Sequence, residues 1–192
     1  MPISYSTESS FNFHPGYIPG QYYNFTPFLG TLGSNNPTVQ PLMMLYGLMP
    51  IFEDIQIDRL VVNVTTANTN AILKIGIYDI YNGRPNKLIM PDVNIDCSTT
   101  AIKEIIIPSL QLKKNNYALA YASNTNIGLN GSTNVSGGLN FWGMSSSSVN
   151  FSTASSTYYH SGFTFGSFPE IAPVSNLLIA SWVPLLRFRV KP

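Results

Sequence analysis

No Lys or Arg occurs before Arg59, and the only charged side chain between Met1 and Phe52 is Glu8. Charge is scarce throughout: Asp, Glu, Lys and Arg make up 10% of the 192 residues, against roughly 25% in ordinary globular domains. With a net charge of +1 and no basic stripe, the chain lacks what binding to a nucleic-acid backbone requires. Its single cysteine, Cys97, excludes an intrachain disulfide and has no metal-ligand spacing around it. No apolar run reaches the roughly 18 residues that span a bilayer, so membrane insertion is not expected. The opening MPISYSTESS has neither the basic nor the apolar region of a signal peptide, which predicts synthesis and assembly in a cytoplasm.

Catalytic signatures are missing too. There is no Gly-x-Ser-x-Gly elbow, no phosphate-binding loop and no dinucleotide fingerprint. His14, in a His-Pro-Gly-Tyr turn, and His160 are isolated from any nucleophile motif, so packing is the expected role of both. Glu53, Asp54 and Asp58 form the one local carboxylate cluster. They lack the Asp/Asn-rich loop with a closing Glu that would hold Ca²⁺. The expectation is a solvated strand entrance, with Asp58 pairing Arg59 or a turn amide. No catalytic, metal-binding or cofactor-binding residue is assigned, and the chain is not expected to be an enzyme.

What the first third has instead is aromatic side chains. Tyr5, Phe11, Phe13, Tyr17, Tyr22, Tyr23, Phe25 and Phe28 are spaced out by Pro and Gly. A free tail is normally polar and charged, because it cannot bury enough apolar surface to offset its ordering entropy. This segment needs burial, yet most of its length shows neither helical nor strand periodicity. The expectation is an extended docking arm over residues 1–41, lying on its own domain or on a neighbour, followed by a β-sandwich over 42–192. Asn, Ser and Thr make up about 28% of the chain, and neutral polar surfaces suit packed interfaces, where a charge would have to be desolvated.

Fourteen of the nineteen charged Asp, Glu, Lys and Arg residues lie between Glu53 and Lys114, and only Glu170 lies in 115–186. The middle therefore reads as a solvated body with two covered or neutral flanks. Residues 71–81 alternate, with Leu73, Ile75 and Ile77 on one face and Lys74, Gly76 and Tyr78 on the other. Asn82-Gly83-Arg84-Pro85 reads as a turn whose Pro ends the ladder. Residues 99–107 are strand-like and stop at Pro108. In 116–123, Tyr117, Leu119 and Tyr121 are expected to enter the core, while Ala118, Ala120 and Ala122 sit under a close neighbour. Over 55–64 the apolar phase switches from Ile55 and Ile57 to Leu60, Val62 and Val64, which predicts a β-bulge near Asp58 and Arg59. In the last strand Trp182, Leu186, Phe188 and Val190 face one way and Arg187, Arg189 and Lys191 the other. No window supports a helix of ten or more residues. Many short strands at about ten-residue spacing predict an all-β, single antiparallel jelly-roll-like sandwich.

Five segments in order carry a resemblance. They are Ile57-Asp58-Arg59-Leu60-Val61-Val62-Asn63-Val64-Thr65-Thr66-Ala67, Leu73-Lys74-Ile75-Gly76-Ile77-Tyr78 and Asn82-Gly83-Arg84-Pro85-Asn86-Lys87-Leu88-Ile89. Then follow Cys97-Ser98-Thr99-Thr100-Ala101-Ile102-Lys103-Glu104 and Leu112-Lys113-Lys114-Asn115-Asn116-Tyr117-Ala118-Leu119-Ala120. Together with Pro19-Gly20-Gln21-Tyr22-Tyr23 upstream, the succession resembles a β-domain of tailed-bacteriophage virion proteins over residues 19–123. Asn115-Asn116 stands where that pattern has Gly before the Tyr, and Ala101 where it has Gly in a turn. The resemblance implies a virion structural role in tail, head fibre or capsid decoration, and it supplies no catalytic residues. The expected partners are other virion proteins and copies of the chain itself, as a homo-oligomer with trimers first. The alternative is a receptor- or glycan-binding tip, in which Trp142, Tyr158 and Tyr159 hold sugar rings of a host-surface glycan by CH–π contact. A polysaccharide hydrolase is the third reading.

Overall fold

A computed structural model describes residues 14–24, 38–133, 157–175, 177–180 and 182–192. The strands in chain order begin with β1 (Tyr22–Asn24), β2 (Thr38–Val39), β3 (Met43–Ile51), β4 (Ile55–Thr66) and β5 (Ile72–Tyr81). Next come β6 (Arg84–Asp96), β7 (Ala101–Leu112), β8 (Asn115–Ser123), β9 (Ile127–Leu129) and β10 (Gly131–Thr133). The last are β11 (Thr157–Ser161), β12 (Leu177–Ala180), β13 (Trp182–Pro184) and β14 (Leu186–Val190). Every pairing between them is antiparallel, and the described residues contain no helix.

Two sheets form a sandwich. In the first, β4 is flanked by β7 on one edge, and by β14 followed by β9 on the other; β1 pairs β14 and β2 pairs β9. The second runs β12-β11-β3-β8-β5-β6, and β10 pairs β13 apart from both. The four neighbours β1-β14-β4-β7 and the four neighbours β3-β8-β5-β6 stand in jelly-roll order, because the chain crosses between the sheets at β3–β4, β4–β5, β6–β7 and β7–β8. The expected fold class is therefore the observed one. Strands β1 and β2 come from within residues 1–41, so the described parts of that segment belong to the sandwich.

The main core lies between the sheets. Ile57, Leu60, Val62, Val64, Phe188 and Val190 face Leu45, Met49, Leu73, Ile75, Ile77, Leu119 and Tyr121, all buried. The bulge near Asp58 is present: the register of β4 shifts between Ile57 and Arg59 against β7, and Arg189 and Val190 of β14 pair with Arg59 and Ile57. Both apolar phases of β4 thereby face the same core. Two prolines behave differently from the sequence reading. Asn82 and Gly83 make the turn with φ of 49° and 72°, but Pro85 continues as the second residue of β6. Likewise Pro108 sits inside β7, beside the register shift, rather than ending it. Both strands lie at sheet edges, where a missing N–H costs no ladder bond. The two departures from the phage pattern need no left-handed residue: Ala101, Asn115 and Asn116 have no positive φ.

The second sheet is buried on its other face as well. Met44, Tyr46, Tyr78, Ala118, Ala120 and Ala122 pack there under Phe168 and Ala172, with Phe163 and Phe165 beside them. The close neighbour of the Ala face is therefore the chain's own segment 162–175. Asp92 Oδ1 accepts from Phe168 N at 2.8 Å, and Tyr78 Oη donates to Pro169 O at 2.7 Å. The segment then pairs with the edge of β6, through Leu88 N to Glu170 O and Ala172 N to Asn86 O, each 2.8 Å. Lys74 bridges Asp92 beneath this cover. Gly76 permits the close approach, since a Cβ there would meet Phe168 Cδ2 at 2.8 Å and Met90 O at 3.2 Å. Gly76→Ala is expected to lower stability by ~1–3 kcal/mol in chemical denaturation, the cost of an overpacked methyl. Gly47→Ala, whose added Cβ would meet no described atom within 4 Å, should cost less. Equal effects at the two glycines would contradict the seating of Phe168.

Candidate interface residues

Pro-Gly turns shape the first described segment. Gly16 and Gly20 take φ of 104° and 83°, a backbone region open to glycine at little cost. The turns fold 14–20 against the start of β4. The His14 ring stacks on Phe52 with centroids 5.0 Å apart, and lies 4.3 Å from Tyr17. Tyr17 meets Tyr23 edge-on at 4.8 Å, and both rings lie 5.9 Å from Phe188. Glu53 Oε1 accepts from Tyr17 N at 2.6 Å, and Tyr23 Oη accepts from Ile18 N at 2.7 Å. Gly20 N then donates to Val190 O at 2.8 Å, and β1 follows in register with β14. Burial raises the Tyr17 phenol above its usual pKa. Tyr17 and Tyr23 thus dock on the chain's own body.

Tyr22 points the other way and is 41% exposed. It sits across from Arg189 in the β1–β14 register, and its hydroxyl donates to Glu104 Oε2 at 2.8 Å. Glu104 also takes Arg59, while Arg189 donates to Asp58 through Nε at 2.9 Å and Nη2 at 2.6 Å. Asp58 therefore pairs Arg189, not the adjacent Arg59 of the sequence reading. The bulge reorganises the side chains at 58 and 59 and brings the last strand's arginine within reach. Arg189's hydrogen bonds hold Asp58 below the usual carboxylate range, and those from Tyr22 and Arg59 do the same for Glu104. The Tyr22 phenol is raised in turn by the Glu104 carboxylate.

The acidic cluster does not converge. Glu53 holds Tyr17 N, Asp58 holds Arg189, and Asp54 takes Lys113 Nζ at 2.7 Å and Lys114 N at 2.8 Å. Among the described residues no three of His, Cys, Asp or Glu are placed to share a metal ion. Cys97 is fully buried, and burial pushes its thiol up to about 11.

Of the proposed sugar-binding side chains, Tyr159 is half-buried against the main core. Tyr158 pairs through its backbone with Tyr46 and Ile179, and its side chain lies outside the described residues, as does Trp142. Tyr5, Phe11, Phe13, Phe25 and Phe28 also lie outside them. The sequence reading missed the outer side of β7, where Ile102 and Ile106 are each 71% exposed on either side of Glu104. The signal was present as equal parity at 102, 104 and 106, opposite to buried Ile107.

A scan against protein-family models finds none that matches the chain, and a search of curated proteins returns no match.

The Asp58, Glu104 and Asp54 contacts carry a pH dependence. A carboxyl depressed in the folded state contributes stability that is fully present above its unfolded pKa of about 4, and loses it as pH falls through the folded value. Thermal melts from neutral pH downward are expected to hold steady and then fall below about pH 4. Asp58→Asn should lower the melting temperature at neutral pH and flatten that acid limb. An unchanged acid limb would show that the Arg189 contact is not maintained in solution.

Proposed function

We propose that the chain is a structural subunit of a bacteriophage particle, in tail, head fibre or capsid decoration, joined to its neighbours through residues upstream of His14. It is assembled in the host cytoplasm and ends in the virion, with copies of itself and other virion proteins as partners. The observation that carries the reading is how residues 14–24 are used. They are anchored to a jelly-roll body by an aromatic cluster and an edge strand, so the chain before them starts from a defined corner. That is the construction a docking arm needs: a fixed root and an extension that carries aromatic side chains and a single charge. The resemblance of residues 19–123 to a phage virion β-domain supports the same reading.

The root belongs to the fold, which narrows the deletion that tests the arm. Removing 1–40 would strip β1 and uncover Phe188, whereas removing 2–13 leaves every described contact in place. Particles of a phage encoding the chain without residues 2–13 are expected to lack it by mass spectrometry. The purified variant should still melt cooperatively near the full chain. Retained incorporation would overturn the arm, and absence of the full chain from purified particles would overturn the virion role.

A further inference from the structure

Exposed sheet edges are usually short, covered or charged, because an open edge recruits further strands. Most edges here follow that rule. β1, β2 and β12 have three, two and four residues, and β6 is capped by pairing with 170–172. β7 is the exception. It has twelve residues, and among the described residues it pairs with β4 alone. Its outer side carries Ile102 and Ile106 around Glu104, and Lys103 on the inner side donates to Thr99 Oγ1 at 2.8 Å, with its charge also felt by Asp96.

The chain contains a segment with matching chemistry. Taken alone, residues 3–13 alternate: Ile3, Tyr5, Thr7, Ser9, Phe11 and Phe13 at odd positions, Ser4, Ser6, Glu8, Ser10 and Asn12 at even ones. This is a strand pattern with one charge. An antiparallel register sets Phe11 beside Ile102, Ser9 beside Glu104 and Thr7 beside Ile106. Glu8 then falls on the inner side, diagonal to Lys103, within reach of a long side chain.

We propose that residues 3–13 of one copy add as an outer strand to β7 of a second copy. The proposal rests on the docking-arm reading and names the surface the arm takes. The direction of the chain selects a second copy over the same one. His14 lies on Phe52, beside the start of β4, where Ile55 pairs Leu112 at the end of β7. An arm running along its own β7 from that corner would pair parallel, unlike every pairing in the domain. Turning back to pair antiparallel would first require about ten residues to pass Ile102, at about 3.3 Å each. With Phe11 beside Ile102, only Asn12 and Phe13 would be left to span that length back to His14, so the same copy cannot supply this strand. Donation to a neighbour has no such limit, and pairing through the backbone edge is an established mode of strand addition.

The test uses the full chain. Protein with benzoylphenylalanine in place of Ile106 is mixed with an equal amount of ¹⁵N-labelled wild type, illuminated, and the crosslinked peptides sequenced by mass spectrometry. Crosslinks into heavy residues 2–13 are expected. Sedimentation should show Ile102→Asp/Ile106→Asp weakening self-association about tenfold or more, from the lost apolar contact. Glu8→Lys should weaken it as well, with partial rescue by Lys103→Glu in the same chain. Crosslinks only within the light chain, or none into 2–13, would overturn the exchange. A particle that still requires residues 2–13 would in that case leave the docking-arm reading standing, with another virion protein as its surface.

Discussion

The structure depends on burying the second sheet from both sides. Strand β8 shows the constraint most directly, because Tyr117, Leu119 and Tyr121 fill the space between the sheets while Ala118, Ala120 and Ala122 leave a shallow floor behind them. A flat floor of alanine and Gly76 allows the covering segment to approach, and Phe168 fills the space. The polar groups this cover buries are matched: Asp92 takes both Lys74 and the Phe168 amide, and Tyr78 finds the Pro169 carbonyl. Leaving any of them unpaired would cost on the order of 1–3 kcal/mol. The charge-poor stretch after Asn115 therefore has an intramolecular role. Residues 162–175 cover the chain's own sheet, which accounts for part of the scarcity of charge there without a neighbour.

The first sheet is treated differently. Its outer side is a lattice of Tyr22, Glu104, Arg59, Arg189 and Asp58, contributed by β1, β7, β4 and β14. Each pair holds strands that are distant in sequence, so the lattice closes only when the jelly-roll crossings have been made. Of these, the more exposed Arg59–Glu104 pair adds little stability by itself. Their arrangement leaves the aliphatic side chains of β7 uncovered at the rim, and an uncovered aliphatic rim on a long edge strand is a surface suited to association.

Local sequence carried much of the fold. Alternation in β5, β8 and β14 and the phase switch in β4 each rest on the two-residue period of a strand, which needs no partner to be read. The Asn82-Gly83 turn was legible for the same reason, since positive φ is a property of the residues themselves. The prolines were misread because Pro85 and Pro108 are compatible with a strand only where one edge is free, and edge position is a property of the assembled sheet. The partner of Asp58 was misread because its arginine lies in the last strand. The outward side chains of β7 went unassigned because three consecutive isoleucines at 105–107 hide which parity is buried.

By itself, the sequence determined that the chain is all-β, where its core faces lie, that Asp58 and Arg59 sit at a bulge, and that residues 1–41 carry many aromatic side chains and a single charge. These follow from side-chain period and composition, which act over a few residues. Only the tertiary structure decided that residues 14–24 are the root of the body, that 162–175 are its cover, and that β7, among the described residues, is the long edge paired on one side alone. Those outcomes depend on which strands become neighbours across the sandwich, a matter of long-range pairing that no local pattern encodes.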